Sequence, residues 1–428
     1  MFQLLIKHFR LKENKTNVKK EAVAGLTAFF TAAYIIIINP LILKDAGIPL
    51  DIGVTATILS SIAGCLIMGL WANSPIIQIP GMGVNAFFTY TIVQSAGLTA
   101  EQALAVVFCS GFIFLFISFS RLSKALSIGI PETLKHGITV GIGLFLAFIG
   151  LQKGGLVVSG RSSFVALGNL SSHEALLTLF GLIITCTLFV RKVKGSFIIG
   201  MLVTTCAYYL LGPATVHQAT TPSLKTYMSA FGSLNFTDFY HLPFILSVFS
   251  LTMLIVFENM GLLHGMLPNS SRFDASYKSA AASSILSALF GTSPTISAAE
   301  SASGIQEGGK TGLTSVIAAM LFGLSFIAIP VIGFIPNSAV APILIILGAL
   351  MMQNVRYIPF HDFSESFPAF LIILLIPLTF SIADGLAFGF IAYPLLKLLL
   401  GKARQVSRVL YVIAFLFLLN FIAGTIMT

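Results

Sequence analysis

Residues 293–309 read SPTISAAESASGIQEGG, a run of small and polar residues within a part of the chain that is otherwise apolar. Its counterpart in the first half is SPIIQIPGMGVNAFF (74–88), which has two prolines and two glycines in its first ten residues. Proline and glycine interrupt helices, and unwound backbone at membrane depth is tolerated only where it lines a cavity. The two stretches therefore predict a polar cavity inside a membrane-embedded fold.

Each stretch predicts a short extended piece followed by a half-helix. The first half-helix is expected from Gly83, after an extended piece at about 76–82, and the second from Ala299, after one at about 294–298. Facing N-termini of this kind aim unpaired N–H groups at one point, where a small planar ligand with donors and acceptors fits. The alternative is that both stretches are kinked helices packed through small residues.

The composition places the chain in a membrane. Its mean hydropathy is +0.96, with 56% hydrophobic and 9% charged residues, whereas a soluble domain has about 25% charged residues. The net charge of +9 comes from cations in short loops between apolar runs, so it indicates membrane orientation and not nucleic-acid binding. The lipid bilayer is therefore the first expected partner.

Apolar runs long enough to cross a bilayer of about 30 Å recur along the chain. With the basic N-terminus inside, most loop cations fall on the cytoplasmic side, and Lys153 and Arg161 are the exceptions. A polar loop at 213–241 separates the two halves, and segment 408–427 is either a fifteenth span or an interfacial helix. The fourteen predicted spans are 22–43, 52–71, 76–96, 101–120, 134–152, 173–190, 197–212, 242–266, 276–291, 293–309, 312–334, 337–353, 368–383 and 385–401.

The chain also repeats weakly. Asn39 precedes Pro75, and Glu258 precedes Pro294, by 36 residues in each case. Two halves of seven spans each have an odd number of spans, so the second half is inverted relative to the first. Inverted repeats are typical of secondary transporters, whose site lies near the midplane where the halves meet. The sequence therefore predicts an all-α polytopic membrane protein of fourteen spans in two inverted seven-span repeats, with short strands in the broken third and tenth spans.

Two glutamates, Glu258 and Glu300, lie in segments that otherwise have the composition of a membrane interior. An ionised carboxylate at the centre of a membrane helix costs roughly 2.5–3.5 kcal/mol even on lenient scales. A chain keeps such a group where it meets a partner, a proton or a polar substrate, so the pair is the predicted binding site. Asn85, two residues into the first half-helix, adds a donor and an acceptor, and Phe87 is a candidate for stacking on a flat ring.

The sequence predicts no cofactor and no metal site. The four cysteines lie within apolar runs without CxxC spacing, and the seven histidines show no metal-ligand spacing. The sequence also shows no nucleophile–base pair and no phosphate-binding loop, which argues against a membrane enzyme.

The segments that carry the site resemble a known family. AGLTAFFTAAYIIIINPLIL (24–43), PGMGVNAFFTYTIV (80–93), GTSPTISAAESASGIQEGGKTGLT (291–314) and DFSESFPAFLIILLIPLTFSIADGLAFGFIAY (362–393) closely resemble the adenine/guanine/hypoxanthine permeases of the AzgA-like branch. That branch belongs to the nucleobase–ascorbate transporter superfamily. The match runs nearly from end to end, and its ESASGIQEGGKTGLT stretch is highly specific.

The resemblance implies a core domain that holds the substrate and a gate domain against which the core moves. The expected division is a cytoplasmic N-terminal segment (1–21), a core domain (22–120 and 242–334), a gate domain (134–212 and 337–401) and a C-terminal hydrophobic segment (402–428).

It also implies proton-coupled import of a nucleobase by a protein of the inner or plasma membrane with a cytoplasmic N-terminus. By the motif match, Glu258 and Glu300 hold the base and Asn85 contributes from the third span. Ring acceptors of the base are expected to meet backbone N–H groups near Gly83 and Ala299. Glu258 is the expected carrier of the coupling proton.

The resemblance breaks at one place. The purine branch usually carries Asp-Thr-Val-Gly-Thr in the eighth span, where this chain has ENMGL (258–262). A glutamate here is more similar to the uracil and xanthine branches, so a uracil- or xanthine-type permease is the alternative. A sulfate- or bicarbonate-type anion carrier shares the architecture, but two acids at the site argue against an anionic ligand. The identity of the base, proton or sodium coupling, and a homodimer stay open.

Overall fold

The computed structural model describes residues 7–160, 164–211, 227–228, 230–237, 239–267 and 270–427. In the first half the helices are α1 (Val18–Ala32), α2 (Ile35–Asp45), α3 (Leu50–Leu70), α4 (Met82–Ala86), α5 (Ala100–Phe119), α6 (Leu122–Gly129), α7 (Glu132–Lys153), α8 (His173–Val190) and α9 (Ser196–Leu211). A π-helical segment, Phe87–Ser95, continues α4, and the strands are β1 (Gln78–Pro80), β2 (Val157–Val158) and β3 (Ala166–Leu167).

The second half repeats this plan. Its strand is β4 (Thr295–Ser297), and its helices are α10 (Leu242–Met266), α11 (Phe273–Phe290), α12 (Ser301–Gln306), α13 (Gly312–Leu324), α14 (Ile329–Ile332), α15 (Asn337–Met352), α16 (Phe363–Thr379), α17 (Ile382–Leu399) and α18 (Arg408–Met427). Short 3₁₀ turns are Ser270–Arg272, Ser325–Ala328, Gln353–Tyr357 and Ala403–Gln405.

Each half contains seven spans within the described residues. In the described part of the chain, eight segments are long and apolar enough to cross a membrane: α1 with α2, α3, α5, α7, α8, α10, α15 with its 3₁₀ extension, and α17. The other spans are shorter helices or the two broken segments. The predicted loop at 213–241 lies partly outside the described residues, and the small β2–β3 hairpin after α7 was not predicted from the sequence.

The two broken spans meet through their strands. β1 and β4 pair antiparallel, with Gln78 opposite Ser297 and Pro80 opposite Thr295. Gln78 and Ser297 lie 219 residues apart, as do Asn39 and Glu258 in the sequence repeat, so the strand register agrees with the predicted relation between the halves. The helices that follow begin at Met82 and Ser301, within two residues of the predicted starts.

The helices pack in two groups. In one group, α3 packs against α11 and α13, and α5 packs against α10 and α11. In the other, α7 packs against α15 and α16, and α8 packs against α9 and α15. The groups follow the expected core and gate domains, but the division into two moving bodies stays a prediction.

Glycine permits close helix contacts in each group. A Cβ at Gly312 of α13 would lie 2.0 Å from the carbonyl oxygen of Gly69, and one at Gly348 of α15 would lie 2.4 Å from that of Gly143. Small residues let helix backbones approach closely in membranes, where van der Waals packing replaces the hydrophobic effect between helices. Any larger residue at these two positions would push the helices apart.

Segment 408–427 forms helix α18, which packs against α17 and the short helix α6. The α6 helix, between the fourth and fifth spans, was not predicted from the sequence. The α18 helix is 20 residues long. Its contacts therefore place it beside the last span, and its relation to the membrane stays open.

Candidate functional site

A cavity of about 1070 Å³ lies between the two broken spans. The turns after β1 and β4, the middle of α10, and the break between α1 and α2 form one side of its wall. Residues of α7, α8, α9 and α15 form the other side. The cavity therefore lies between the two groups of packed helices, where the sequence repeat placed the site.

Four of the six predicted site residues border this cavity: Gly83, Glu258, Ala299 and Glu300. Their backbones come from three separate segments, the two broken spans and α10. Asn85 and Phe87 do not border the cavity. The structure thus brings together the two predicted acids and both predicted half-helix starts.

Glu300 lies in the turn between β4 and α12. The Tyr34 hydroxyl donates a hydrogen bond to its Oε1 atom. The Ser303 hydroxyl donates to the Glu300 carbonyl oxygen at 2.7 Å, and it also shares a hydrogen bond of 3.1 Å with the Thr31 hydroxyl. Both the side chain and the backbone of Glu300 are therefore tied to the first span.

Glu258 lies in the regular part of α10 and is held differently. Its Oε2 atom is buried and has no hydrogen-bond partner among the described residues. Its Oε1 atom lies 3.6 Å from the position that a Cβ would take on Gly83. The absence of a side chain at Gly83 therefore leaves the carboxyl group next to the start of α4.

The two extended segments before the half-helices are joined to each other by backbone hydrogen bonds. The Gly81 N–H donates to the Pro294 carbonyl at 3.3 Å, and the Ala298 N–H donates to the Ile77 carbonyl at 3.0 Å. The N–H groups of the following first turns have no acceptor inside their own helix. Gly83 and Ala299 lie at the cavity wall.

Asn85 and Phe87 are buried behind the cavity wall. The Asn85 amide donates to the Asn39 carbonyl at 3.4 Å, and its Oδ1 atom has no partner in the described part of the chain. The Asn39 side chain accepts a hydrogen bond from Ser293 at 3.1 Å. Asn85 therefore belongs to a polar contact between the two halves, and substrate contact by Asn85 or Phe87 stays a prediction.

Asn259 is a structural residue of the site whose role was not predicted from the sequence. Its Oδ1 atom accepts a hydrogen bond of 2.8 Å from the Ser297 N–H, and its amide donates to the Ile255 carbonyl at 2.9 Å. On the other side of β4, the Gln78 amide donates to the Ser297 hydroxyl at 2.9 Å. Asn259 thus fixes β4, and with it the Glu300 turn, against α10. Its position directly after Glu258 was the available signal.

Tyr34 is the second residue that the sequence did not single out. Tyr34 is 2% exposed and borders the cavity. It lies within the apolar stretch AAYIIII (32–38), and this apolar context was the only feature of the sequence that set it apart. Its hydroxyl reaches Glu300 across 266 residues of chain.

Among the described residues, two ion pairs at the rim join the two groups of helices. Lys153 at the end of α7 lies 2.6 Å from the Asp45 carboxylate at the end of α2, and the Tyr90 hydroxyl donates to the same carboxylate at 2.8 Å. At the other face, Lys194 lies 2.8 Å from the Glu307 carboxylate. Lys153, an exception to the charge rule in the sequence, thus has an acidic partner.

The cavity extends toward one of these two faces. Lys135, Lys192, Lys194 and Glu307 border it, whereas Asp45 and Lys153 do not. The face it reaches is the one that the distribution of cations predicts to be cytoplasmic.

The sequence matches the Xan_ur_permease profile, described as a permease family, over residues 19–388. It is 48% identical over 383 residues to the nucleobase transporter PlAzg2 of Paenibacillus larvae subsp. larvae, covering 88% of this chain and 77% of that protein. It is 40% identical to the guanine/hypoxanthine permease PbuO of Bacillus subtilis, over 96% of this chain and 99% of that protein. It is 32% identical to the adenine permease AdeP of Escherichia coli, over 98% of this chain and 96% of that protein.

Two solved structures share the architecture. The transmembrane domain of the cyanobacterial bicarbonate transporter BicA gives a TM-score of 0.68 at 18% identity, covering 86% of this chain and 97% of that one. The murine anion transporter Slc26a9 in its inward-facing state gives a TM-score of 0.66 at 13% identity, covering 90% of this chain and 69% of that one. At these identities the likeness concerns the fold alone, and it confirms the predicted polytopic fold of inverted repeats.

Proposed function

Because this chain belongs to the Xan_ur_permease family, we propose that it imports a purine nucleobase of the adenine, guanine or hypoxanthine type by proton symport. Family membership makes it a multi-pass membrane permease and not an enzyme, and it confirms the resemblance found in the sequence motifs. The substrate class is supported by relatives named as nucleobase, guanine/hypoxanthine and adenine permeases.

The observation that carries this proposal is the pair of carboxyl groups, Glu258 and Glu300, on one cavity between two facing half-helices. A nucleobase presents ring N–H donors next to ring nitrogen and carbonyl acceptors. The two carboxyl groups accept from the donors, and backbone N–H groups near Gly83 and Ala299 donate to the acceptors. A few polar groups that converge in a mostly apolar cavity are typical of small-molecule sites.

We assign the coupling proton to Glu258. A buried carboxylate without a partner is costly at membrane depth, whereas a protonated carboxyl group carries no charge and can donate a hydrogen bond. Its Oε2 atom is the buried carboxylate oxygen that lacks a protein partner among the described residues. Glu300 receives the Tyr34 hydroxyl and acts as the fixed acceptor for the base.

Transport follows by alternating access in this proposal. The core domain (22–120 and 242–334) moves against the gate domain (134–212 and 337–401), and the bound base is exposed to each side in turn. In this proposal the cavity, which reaches the face of Lys192 and Lys194, is that of an inward-open state. The N-terminus then lies in the cytoplasm, and the protein lies in the cell membrane.

A uracil- or xanthine-type substrate is the second candidate, since glutamate stands at position 258 where the purine branch usually has aspartate. The extra methylene moves the carboxyl group by about one bond length, enough to change which ring edge it meets. An anion substrate is disfavoured despite the shared fold, because both side chains proposed to contact the ligand are acids and neither is a cation.

The test is uptake of labelled hypoxanthine into proteoliposomes, with adenine, guanine, xanthine or uracil as competitors, and with or without an inward proton gradient. The proposal predicts that purines compete and that the gradient drives accumulation. Competition by uracil and xanthine alone would select the second candidate. A chloride or sulfate current without base uptake would reject nucleobase transport.

A further inference from the structure

Tyr34 lies at the interruption of the first span, between the end of α1 and the start of α2. This break brings a tyrosine to the cavity wall at the point where the Glu300 turn faces it. Its hydroxyl donates to Glu300 Oε1, and its side chain is almost completely buried. A phenol in an apolar span needs such a partner, because an unpaired buried hydroxyl is costly.

We infer that Tyr34 is a positioning residue for the Glu300 carboxyl group that binds the substrate, and this inference rests on the proposed function. The terminal torsion of a glutamate side chain is broad and poorly fixed by its own rotamer preference. One hydrogen bond from Tyr34 to Oε1 removes that freedom and leaves the second oxygen for a ring N–H of the base. A site that is ordered before the ligand arrives binds it more tightly, since less freedom is lost on binding.

The backbone that carries Glu300 is tied to the same span. Ser303 donates to the Glu300 carbonyl at 2.7 Å and shares a hydrogen bond with Thr31, which lies just before Tyr34 in sequence. The first span thus orders both the main chain and the side chain of Glu300. Glu258 has no such partner for its Oε2 atom among the described residues, so Tyr34 acts on one acid of the pair only.

The ring of Tyr34 is held independently of its hydroxyl. It packs edge-on against Phe197 of α9, with ring centroids 5.3 Å apart, and Phe197 stacks on Phe189 of α8 at 5.6 Å. All three rings border the cavity. Tyr34→Phe therefore keeps the aromatic contacts and removes one hydrogen bond, which makes it a clean test.

The matched control is Tyr209→Phe. The Tyr209 hydroxyl donates to the Phe334 carbonyl at 2.9 Å, and its side chain is exposed and does not border the cavity. Both variants lose one phenol hydrogen bond, but only Tyr34→Phe loses it at a carboxyl group. A general effect of removing a tyrosine hydroxyl would appear in both variants.

The first measurement is the KM and the maximal rate per transporter for hypoxanthine uptake. For Tyr34→Phe we expect the KM to rise about tenfold, as for the loss of a hydrogen bond to a charged group, with the maximal rate within about twofold. Tyr209→Phe should leave both unchanged. A KM of Tyr34→Phe within twofold of the wild type would overturn the inference, and so would a loss confined to the maximal rate or the amount of folded protein.

A second measurement does not depend on transport. A carbodiimide modifies accessible carboxyl groups, and mass spectrometry reports the rate at Glu300 and at Glu258 in the same sample. Tyr34→Phe should accelerate modification of Glu300 several-fold and leave Glu258 unchanged. Equal rates at Glu300 in both proteins would reject the positioning role. Failure of the wild type to take up any of the five bases would reject the proposed function instead, with the labelling result still deciding the role of Tyr34.

Discussion

Glu258 and Glu300 border the same cavity but are held in opposite ways. Glu300 lies in a turn between a strand and a short helix, and its side chain and its backbone both have hydrogen-bond partners. Glu258 lies in a regular helix of 25 residues, and its Oε2 atom has no partner among the described residues. Glu300, in the irregular segment, is therefore the fixed acid, because hydrogen bonds hold it in place. Glu258, in the regular helix, has a carboxyl oxygen without a partner among the described residues. The difference is the basis of the proposal that Glu300 is the fixed acceptor for the base and that Glu258 exchanges the proton.

The largest effect is expected from Glu300→Gln. The amide keeps the size of the side chain but loses negative charge and places an N–H₂ donor where Tyr34 and the base each need an acceptor. Uptake of the base should fall at least about 100-fold, because the single amide oxygen can accept from only one of the two donors and the other donor faces the N–H₂ group. The measurement is initial uptake of labelled hypoxanthine into proteoliposomes.

The matched control for this change is Glu307→Gln. Glu307 also borders the cavity, but its side chain is 36% exposed and it pairs with Lys194 at the rim. Its replacement should alter uptake little. Normal uptake by Glu300→Gln would show that Glu300 does not bind the substrate. The proposed difference in role between the two glutamates would then be wrong.

A different loss is expected from Glu258→Gln. If Glu258 carries the proton, the variant cannot couple base uptake to a gradient but keeps a cavity that binds the base. Accumulation driven by an inward proton gradient should be abolished, while exchange of internal for external base should stay within about tenfold of the wild type. Accumulation against a concentration gradient by this variant would show that the proton binds elsewhere.

The sequence was sufficient for the fold and for the position of both acids, because those features depend on local chemistry. Proline, glycine and small residues interrupt a helix wherever it lies, so residues 74–88 and 293–309 revealed both breaks and the short strands. A glutamate in an apolar run is costly in any membrane fold, so Glu258 and Glu300 stood out. The helix starts were displaced by only one or two residues.

The contacts that fix the acids could not be predicted in the same way. Tyr34 and Glu300 are 266 residues apart in sequence, and a tyrosine in an apolar span usually has no special meaning. The hydrogen bond from the Asn85 side chain to the Asn39 carbonyl was likewise not predicted from its position near a half-helix start, and its contact with the substrate stays a prediction. Such contacts depend on how the two halves of the chain pack together.

A moderate loss of stability is expected from Asn259→Ala. This variant tests whether β4, which leads into the Glu300 turn, is held in place by Asn259. The change leaves the buried Ser297 N–H without its acceptor, and an unsatisfied buried donor costs about 1–3 kcal/mol. The thermal midpoint of the purified protein should fall by several degrees, with a larger KM for the base. Asn354→Ala, which removes a hydrogen bond of 3.0 Å to the Met351 carbonyl near the cavity mouth, is the control and should change the midpoint less. Equal midpoints for the two variants would mean that β4 does not need Asn259.

The smallest effect is expected at the rim, from Lys153→Met. The Lys153–Asp45 pair joins the two groups of helices at the closed face, but its side chains are 17% and 31% exposed. Partly exposed ion pairs contribute about 0–1 kcal/mol, and Asp45 keeps its hydrogen bond from Tyr90 when the lysine is removed. The maximal uptake rate should therefore change less than about fivefold, the KM should not change, and Asp45→Asn added to Lys153→Met should have little further effect. A loss of uptake in Lys153→Met as large as that in Glu300→Gln would contradict this expectation. It would show that the ion pair of Asp45 at the closed face matters as much for transport as the two acids at the cavity.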